Sequence, residues 1–113
     1  MYGLAKEMAI YGIGKFCNDL NFIRPTVSIL TSCLRLMGKP SEAIEIAIKY
    51  MRKYNFKTVP ILTSLAAAYC DIKDYDRAIK CANLAYAMQG GGTGYKNELS
   101  LVYKRIQKEK DLK

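Results

Sequence analysis

The stretch that decides the fold is Pro40–Phe56, which reads PSEAIEIAIKYMRKYNF. Lys6–Phe22 lies thirty-four positions earlier and reads KEMAIYGIGKFCNDLNF, with the same Ala-Ile pair, an aromatic at the same place and the same closing Asn-Phe. A third Ala-Ile pair begins at Ala78, thirty-five positions after Ala43. This period is typical of helical hairpins that stack on one another to bury a shared core. The sequence therefore predicts an all-α fold.

Composition limits the chain to one domain of ordinary character. It has 113 residues, half of them hydrophobic and a quarter charged, which is typical of a globular protein. No apolar run reaches the roughly 20 residues that a membrane span needs. Met1–Phe16 carries three charges and already belongs to the repeat, so we do not read it as a signal peptide. The net charge of +8 is compatible with RNA, an acidic protein or an anionic membrane as partner.

Little in the sequence indicates catalysis. There is no histidine to act as a base near neutral pH, and none of the four cysteines stands in a C-x-x-C pair. We therefore expect a non-enzyme without metal or cofactor. Cysteines at helical positions predict small buried hydrophobes in a reducing intracellular compartment, the cytoplasm or the mitochondrial matrix. They are Cys17, Cys33, Cys70 and Cys81.

Apolar periodicity predicts six helical segments. Pro25 suits a first helical turn, and Ser41 is predicted to be an N-cap. The glycine run at 90–94 predicts a hinge. The predicted segments are about Gly3–Leu20, Pro25–Met37, Ser41–Tyr54, Thr58 or Pro60 to Cys70, Tyr75–Gln89 and Lys96–Glu109.

The segment 65–85 resembles a tetratricopeptide repeat. That family places large apolar, small and aromatic residues in a fixed order, with small residues where its two helices cross, and the matching residues are Leu65, Ala66, Tyr69, Ala78, Ala82 and Ala85. The resemblance implies a single domain over 1–113, a short right-handed superhelix of antiparallel hairpins. Residues 1–22 form a partial repeat, 24–58 and 59–93 two full repeats, and 95–110 a C-terminal capping helix.

The resemblance also implies a partner groove lined by the first helix of each repeat. Such a groove suits a helix or an extended segment of another protein. The groove residues implied here are Ser28, Ser32, Arg35, Thr63, Ala67 and Asp71.

A basic run follows in the second helix of the first repeat, interleaved with Tyr50, Tyr54 and Phe56. It consists of Lys49, Arg52, Lys53 and Lys57, and predicts a patch for an anionic partner. Cations among aromatics suit single-stranded nucleic acid, but they are also routine at a helix end. The 35-residue spacing likewise resembles the pentatricopeptide family, which binds single-stranded RNA. The two residue pairs matching that family's base-reading positions, Ser28 with Thr58 and Thr63 with Thr93, lack the expected acid or amide.

The incomplete first repeat predicts an apolar end that docks on another chain. Tyr11 and Ile13 mark this docking face, and Gly12 and Gly14 would let a partner backbone approach closely. We therefore expect a non-catalytic protein–protein interaction module. It would be a small basic structural subunit of a larger assembly, for example a mitochondrial or ribosomal complex, with other protein subunits as partners. A single-stranded RNA-binding protein is the alternative.

Overall fold

The computed structural model describes residues 2–89 and 96–111, and over these residues the chain is all-helical, which confirms the predicted fold class. The helices are α1 (Tyr2–Lys15), α2 (Leu20–Leu36), α3 (Pro40–Lys53), α4 (Val59–Asp71), α5 (Tyr75–Gln89) and α6 (Lys96–Asp111). None of these described helices is long and apolar enough to cross a membrane. The hinge predicted at 90–94 lies outside the described residues.

The chain divides into two compact units, Met1–Lys57 with α1–α3 and Thr58–Lys113 with α4–α6. In the first unit α2 packs against both α1 and α3. Its fully buried face consists of Ile23, Val27, Leu30, Thr31 and Leu34. The Thr31 hydroxyl donates to the Val27 carbonyl, so its burial leaves no polar group without a partner. The predicted superhelix and its repeats stay predictions.

Two helix starts differ from the sequence prediction. The helix predicted from Pro25 begins at Leu20, because the Asp19 carboxylate accepts hydrogen bonds from the backbone N–H groups of Asn21 and Phe22. Pro25 therefore lies inside α2, where its ring removes one backbone donor. The preceding helix accordingly ends at Lys15 rather than at Leu20.

Ser41 is not the N-cap of α3. The helix begins one residue earlier, at Pro40, and its cap position is Lys39, which makes no capping bond through its side chain. Proline is favoured in the first helical turn because its missing N–H would have no helical partner there. At the start of α4, in contrast, the Thr58 hydroxyl caps the helix by accepting from the Ile61 N–H.

Three helices end with the same backbone motif. Gly38, Asn55 and Lys73 follow α2, α3 and α4 with φ of 78°, 49° and 63°, in the left-handed region. In each case the next N–H donates five residues back, as Lys39 does to the Leu34 carbonyl, and so pairs a carbonyl of the last turn. These stops are seventeen and eighteen residues apart, half of the sequence period.

The second unit is built around α4, which packs against α5 and α6. Ala78 and Ala82, which the resemblance places where two helices cross, are fully buried, and so is Ala43 in the first unit. One apolar face of α6 is also buried within the unit and consists of Leu99, Val102 and Ile106. Two polar contacts of α6 join Arg105 Nη2 to Asp71 Oδ1 at 2.8 Å and the Tyr103 hydroxyl to Asn83 Oδ1 at 2.6 Å.

Candidate functional site

The most exposed apolar surface of the first unit lies on α1. Leu4, Met8 and Tyr11 are 63%, 65% and 69% exposed, and their spacing of four and three residues places them on one face of the helix. We call these three residues the α1 stripe. The opposite face of α1 is buried, with Ala9, Gly12 and Ile13 packed inside the unit. The helix is therefore apolar on two sides, and only one of them is covered within the unit.

The predicted docking face of Tyr11 and Ile13 is corrected by this geometry. Tyr11 is exposed, but Ile13 is only 3% exposed and belongs to the core. The group that approaches the Gly12 backbone closely is this chain's own Phe22, because a Cβ at position 12 would lie 2.7 Å from the Phe22 ring. Gly14 is exposed, and a Cβ there would meet no atom within 4 Å.

The predicted basic patch forms an exposed ridge along α3. Lys49, Arg52 and Lys53 are all exposed, and Lys57 is exposed beyond the helix end. The three helical cations, here called the α3 ridge, border an open depression of about 750 Å³ that Ile44, Glu45 and Ile48 also line. Within the described part of the chain no carboxylate forms an ion pair with the ridge.

The tyrosines between these cations contact one another. The rings of Tyr50 and Tyr54 stack with centroids 6.2 Å apart and planes 16° apart. The ammonium groups of Lys49 and Lys53 each lie 5.4 Å from the centroid of the following tyrosine ring. Each ring thus already has a ring and a cation as neighbours. The Tyr54 hydroxyl is the one buried side-chain polar atom without a hydrogen-bond partner among the described residues.

The predicted groove residues fall in both units, three on α2 and three on α4. On α2, Ser28 is buried and its hydroxyl donates to the Arg24 carbonyl, while Ser32 and Arg35 are half-buried. The buried hydroxyl of Ser28 therefore has its hydrogen-bond partner within its own helix, as serine hydroxyls in helices often do.

On α4, the groove residues are mostly enclosed. Thr63 and Ala67 are buried, and the Thr63 hydroxyl donates to the Val59 carbonyl at 2.8 Å. Asp71 is half-buried and accepts from Arg105. These contacts neither establish nor remove a groove for a partner, so the groove stays a prediction. Of the paired base-reading positions, Thr58 is the cap of α4 and Thr93 lies outside the described residues.

The second unit holds a cavity that the sequence analysis missed. It lies between α5 and α6, measures about 460 Å³ and is mostly apolar, with Ile79, Tyr86, Leu99 and Ile106 among its lining residues. Burial raises the pKa of the Tyr103 phenol at its wall, and the neighbouring Tyr86 raises it further. The size of the cavity depends on how far the two helices stand apart, which residue spacing does not reveal.

The cysteines do not all follow the prediction of burial. Cys33 and Cys70 are buried and Cys81 is half-buried, but Cys17 is exposed in the turn after α1. None of the four forms a disulfide. The described residues contain no cluster of three or more potential metal ligands.

The chain matches no protein-family model, no curated protein and no solved structure with which it was compared. The exposed surfaces of α1 and α3 are thus the features from which its function is inferred.

Proposed function

We propose that this chain is a non-catalytic protein–protein interaction module, acting as a small basic structural subunit of a larger assembly. The observation that carries the proposal is the α1 stripe. Leu4, Met8 and Tyr11 are each more than half exposed on a helix whose other face is already buried. Contiguous exposed apolar surface of this kind marks interaction sites in soluble proteins.

The energetic case for a partner follows from the size of these side chains. Burying a leucine or methionine side chain contributes roughly 1.5–3 kcal/mol relative to leaving it in water. A partner that covers the α1 stripe would recover most of this free energy at a central, desolvated contact, where hot-spot residues concentrate. Tyr2 and Ile10 are also exposed, but they lie on another side of α1.

A tetratricopeptide-like superhelix is the arrangement that we propose for the six helices. Support comes from the fully buried alanines Ala78 and Ala82 where α5 meets its unit, and from helix stops at half of the sequence period. The resemblance assigns groove residues for a second protein segment to α2 in the first unit and to α4 in the second. The thiols suit a reducing compartment, cytoplasm or mitochondrial matrix, since none forms a disulfide.

One observation favours RNA binding as a second candidate. The α3 ridge is exposed and alternates with aromatic residues, a combination that binds single strands by phosphate contact and base stacking. The ring contacts of Tyr50 and Tyr54 weigh against it, because stacking needs accessible ring faces. We therefore prefer the protein-binding function.

The experiment is sedimentation velocity and apolar-dye binding on the purified full chain. We expect self-association or dye binding, and we expect Met8→Asp to reduce either signal strongly. Asn18→Asp is the matched control, because it adds one negative charge at an exposed residue outside the helix. A dye-silent monomer, or equal behaviour of both variants, would contradict the proposed function.

A further inference from the structure

The open depression along α3, here called the α3 depression, combines an apolar surface with a positively charged one. Ile44 and Ile48 both line the depression; Ile44 is only 9% exposed, so half-buried Ile48 supplies most of the accessible apolar surface, and the α3 ridge runs beside it on the same helix. We propose that this depression binds an acidic amphipathic segment of a partner protein. The proposal rests on the proposed function, because it specifies the chemistry of a protein partner.

The length of the depression sets the size of the segment. Its lining runs from Ile44 to Lys53, ten residues of α-helix, whose ends are about 14 Å apart at a rise of 1.5 Å per residue. A partner helix of about ten residues covers that distance. Its apolar side would cover Ile48 and the small exposed part of Ile44, and its carboxylates would face the ridge.

Charge complementarity argues for acidic residues in this segment. Three exposed cations border the depression against one carboxylate, Glu45, and the chain as a whole carries +8. Within the described residues no acid forms an ion pair with the ridge, and Glu45 is the one carboxylate that lines the depression. The negative end of the α3 dipole offsets about half a unit charge, which leaves the ridge positive.

The direction of the segment follows from where these charges lie. Glu45 is in the first half of the helix, whereas Lys49, Arg52 and Lys53 occupy its last turns. A carboxylate near Glu45 would be repelled, and one near Arg52 or Lys53 would be attracted. We therefore expect the acidic residues of the segment to cluster at the end that lies over Lys53.

The apolar part of the depression separates this partner from RNA. Phosphates would contact the ridge alone and would leave the half-buried Ile48 uncovered. The tyrosine rings that bases would need are already stacked and covered by lysines. An amphipathic peptide would contact both the cations and Ile48, which is how amphipathic helices bind in grooves.

The test is fluorescence anisotropy with the full chain and a synthetic labelled peptide. The peptide has about twelve residues, with two leucines four positions apart and glutamates concentrated toward one end. We expect it to bind about tenfold more tightly than a scrambled peptide of the same composition. Equal binding of both peptides would overturn the amphipathic proposal.

Variants identify the site. The exposed double change Arg52→Ser with Lys53→Ser is expected to weaken binding about tenfold, and Ile48→Ser to weaken it by about as much. The matched control is Lys80→Ser with Lys108→Ser, which removes two exposed cations from α5 and α6 and should change affinity by less than about twofold. If the control weakens binding as much as the ridge variant, the site is not the α3 depression. Thermal melts exclude unfolding, and the ridge variant remains decisive if Ile48→Ser does not fold.

A third probe, an oligouridine of the same length, addresses RNA. Tighter binding of this RNA than of the peptide, unaffected by Ile48→Ser, would replace the proposal with RNA binding. Failure here is distinguishable from failure of the proposed function. If no peptide binds while Met8→Asp still abolishes self-association, only the depression proposal is wrong.

Discussion

A Cβ atom added to Gly12 would lie 2.7 Å from the ring of Phe22, closer than such atoms approach in proteins. The Phe22 ring also lies 4.9 Å from the Phe16 ring, centroid to centroid, so it cannot move without disturbing that pair. Among the glycines that the structure describes, Gly12 is thus the one with the closest neighbour, and this neighbour lies on α2.

This contact predicts opposite outcomes at two glycines of one helix. Gly14→Ala should stabilise the protein by about 0.5–1 kcal/mol, because alanine is the better helix former and the site is open. Gly12→Ala should lose that gain and cost about 1–3 kcal/mol through overpacking. Chemical denaturation of both variants measures the difference, and equal gains would contradict the packing described here.

The helix crossing in the second unit is tested at Ala78. Ala78 is fully buried, so Ala78→Leu should overpack the α4–α5 contact and cost about 1–3 kcal/mol. Ala87→Leu, at an exposed position of the same helix, is the matched control and should change stability little. Indistinguishable thermal melts for Ala78→Leu and the parent would mean that the proposed hairpin register is wrong.

The end of α4 offers a test of backbone conformation. Lys73 has φ of 63°, which strains a residue with a side chain, so Lys73→Gly should raise the free energy of unfolding by about 0.5–1 kcal/mol. The same change in the interior of α5, Lys80→Gly, should lower it by about 1 kcal/mol. Urea titrations of the two variants should therefore shift in opposite directions, and a loss of stability in Lys73→Gly would contradict the left-handed stop.

The unsatisfied hydroxyl of Tyr54 makes a further stability prediction. Removing a buried polar atom that has no partner should be neutral or stabilising by up to about 1 kcal/mol, so Tyr54→Phe should melt at or above the parent temperature. Tyr50→Phe, the other ring of the stack, is the control. A clear fall in melting temperature for Tyr54→Phe alone would show that its hydroxyl is hydrogen-bonded after all.

Local chemistry explains how much of the fold was predictable. Periodicity and turn residues located all six helices, and the Ala-Ile repeats predicted the buried Ala43 and Ala78. The predicted start of α2 at Pro25 is wrong, because the Asp19 cap starts the helix at Leu20. Asp19 and Pro25 are both residue types that favour a helix start. The hydrogen bonds that the Asp19 carboxylate makes are not visible in residue spacing.

The candidate site was less predictable, because exposure depends on tertiary packing. The sequence shows that α1 is apolar on two sides. It does not show which of the two sides the rest of the first unit covers. Ile13 was therefore placed wrongly on the docking face, whereas Tyr11 is exposed. The α3 ridge was predicted from its charges, since long charged side chains usually remain in water. Its apolar border, Ile44 and Ile48, became apparent only with the depression.

The most direct test of the protein-binding function is site-specific photo-crosslinking in native cells. A photoreactive residue is placed at Met8, in the α1 stripe, and in a second preparation at exposed Asn18. We predict a discrete protein adduct from position 8 that is absent from position 18 and is lost when Tyr11→Asp is added. A folded chain that gives no protein adduct at position 8, or only an adduct that ribonuclease removes, would contradict the proposed function.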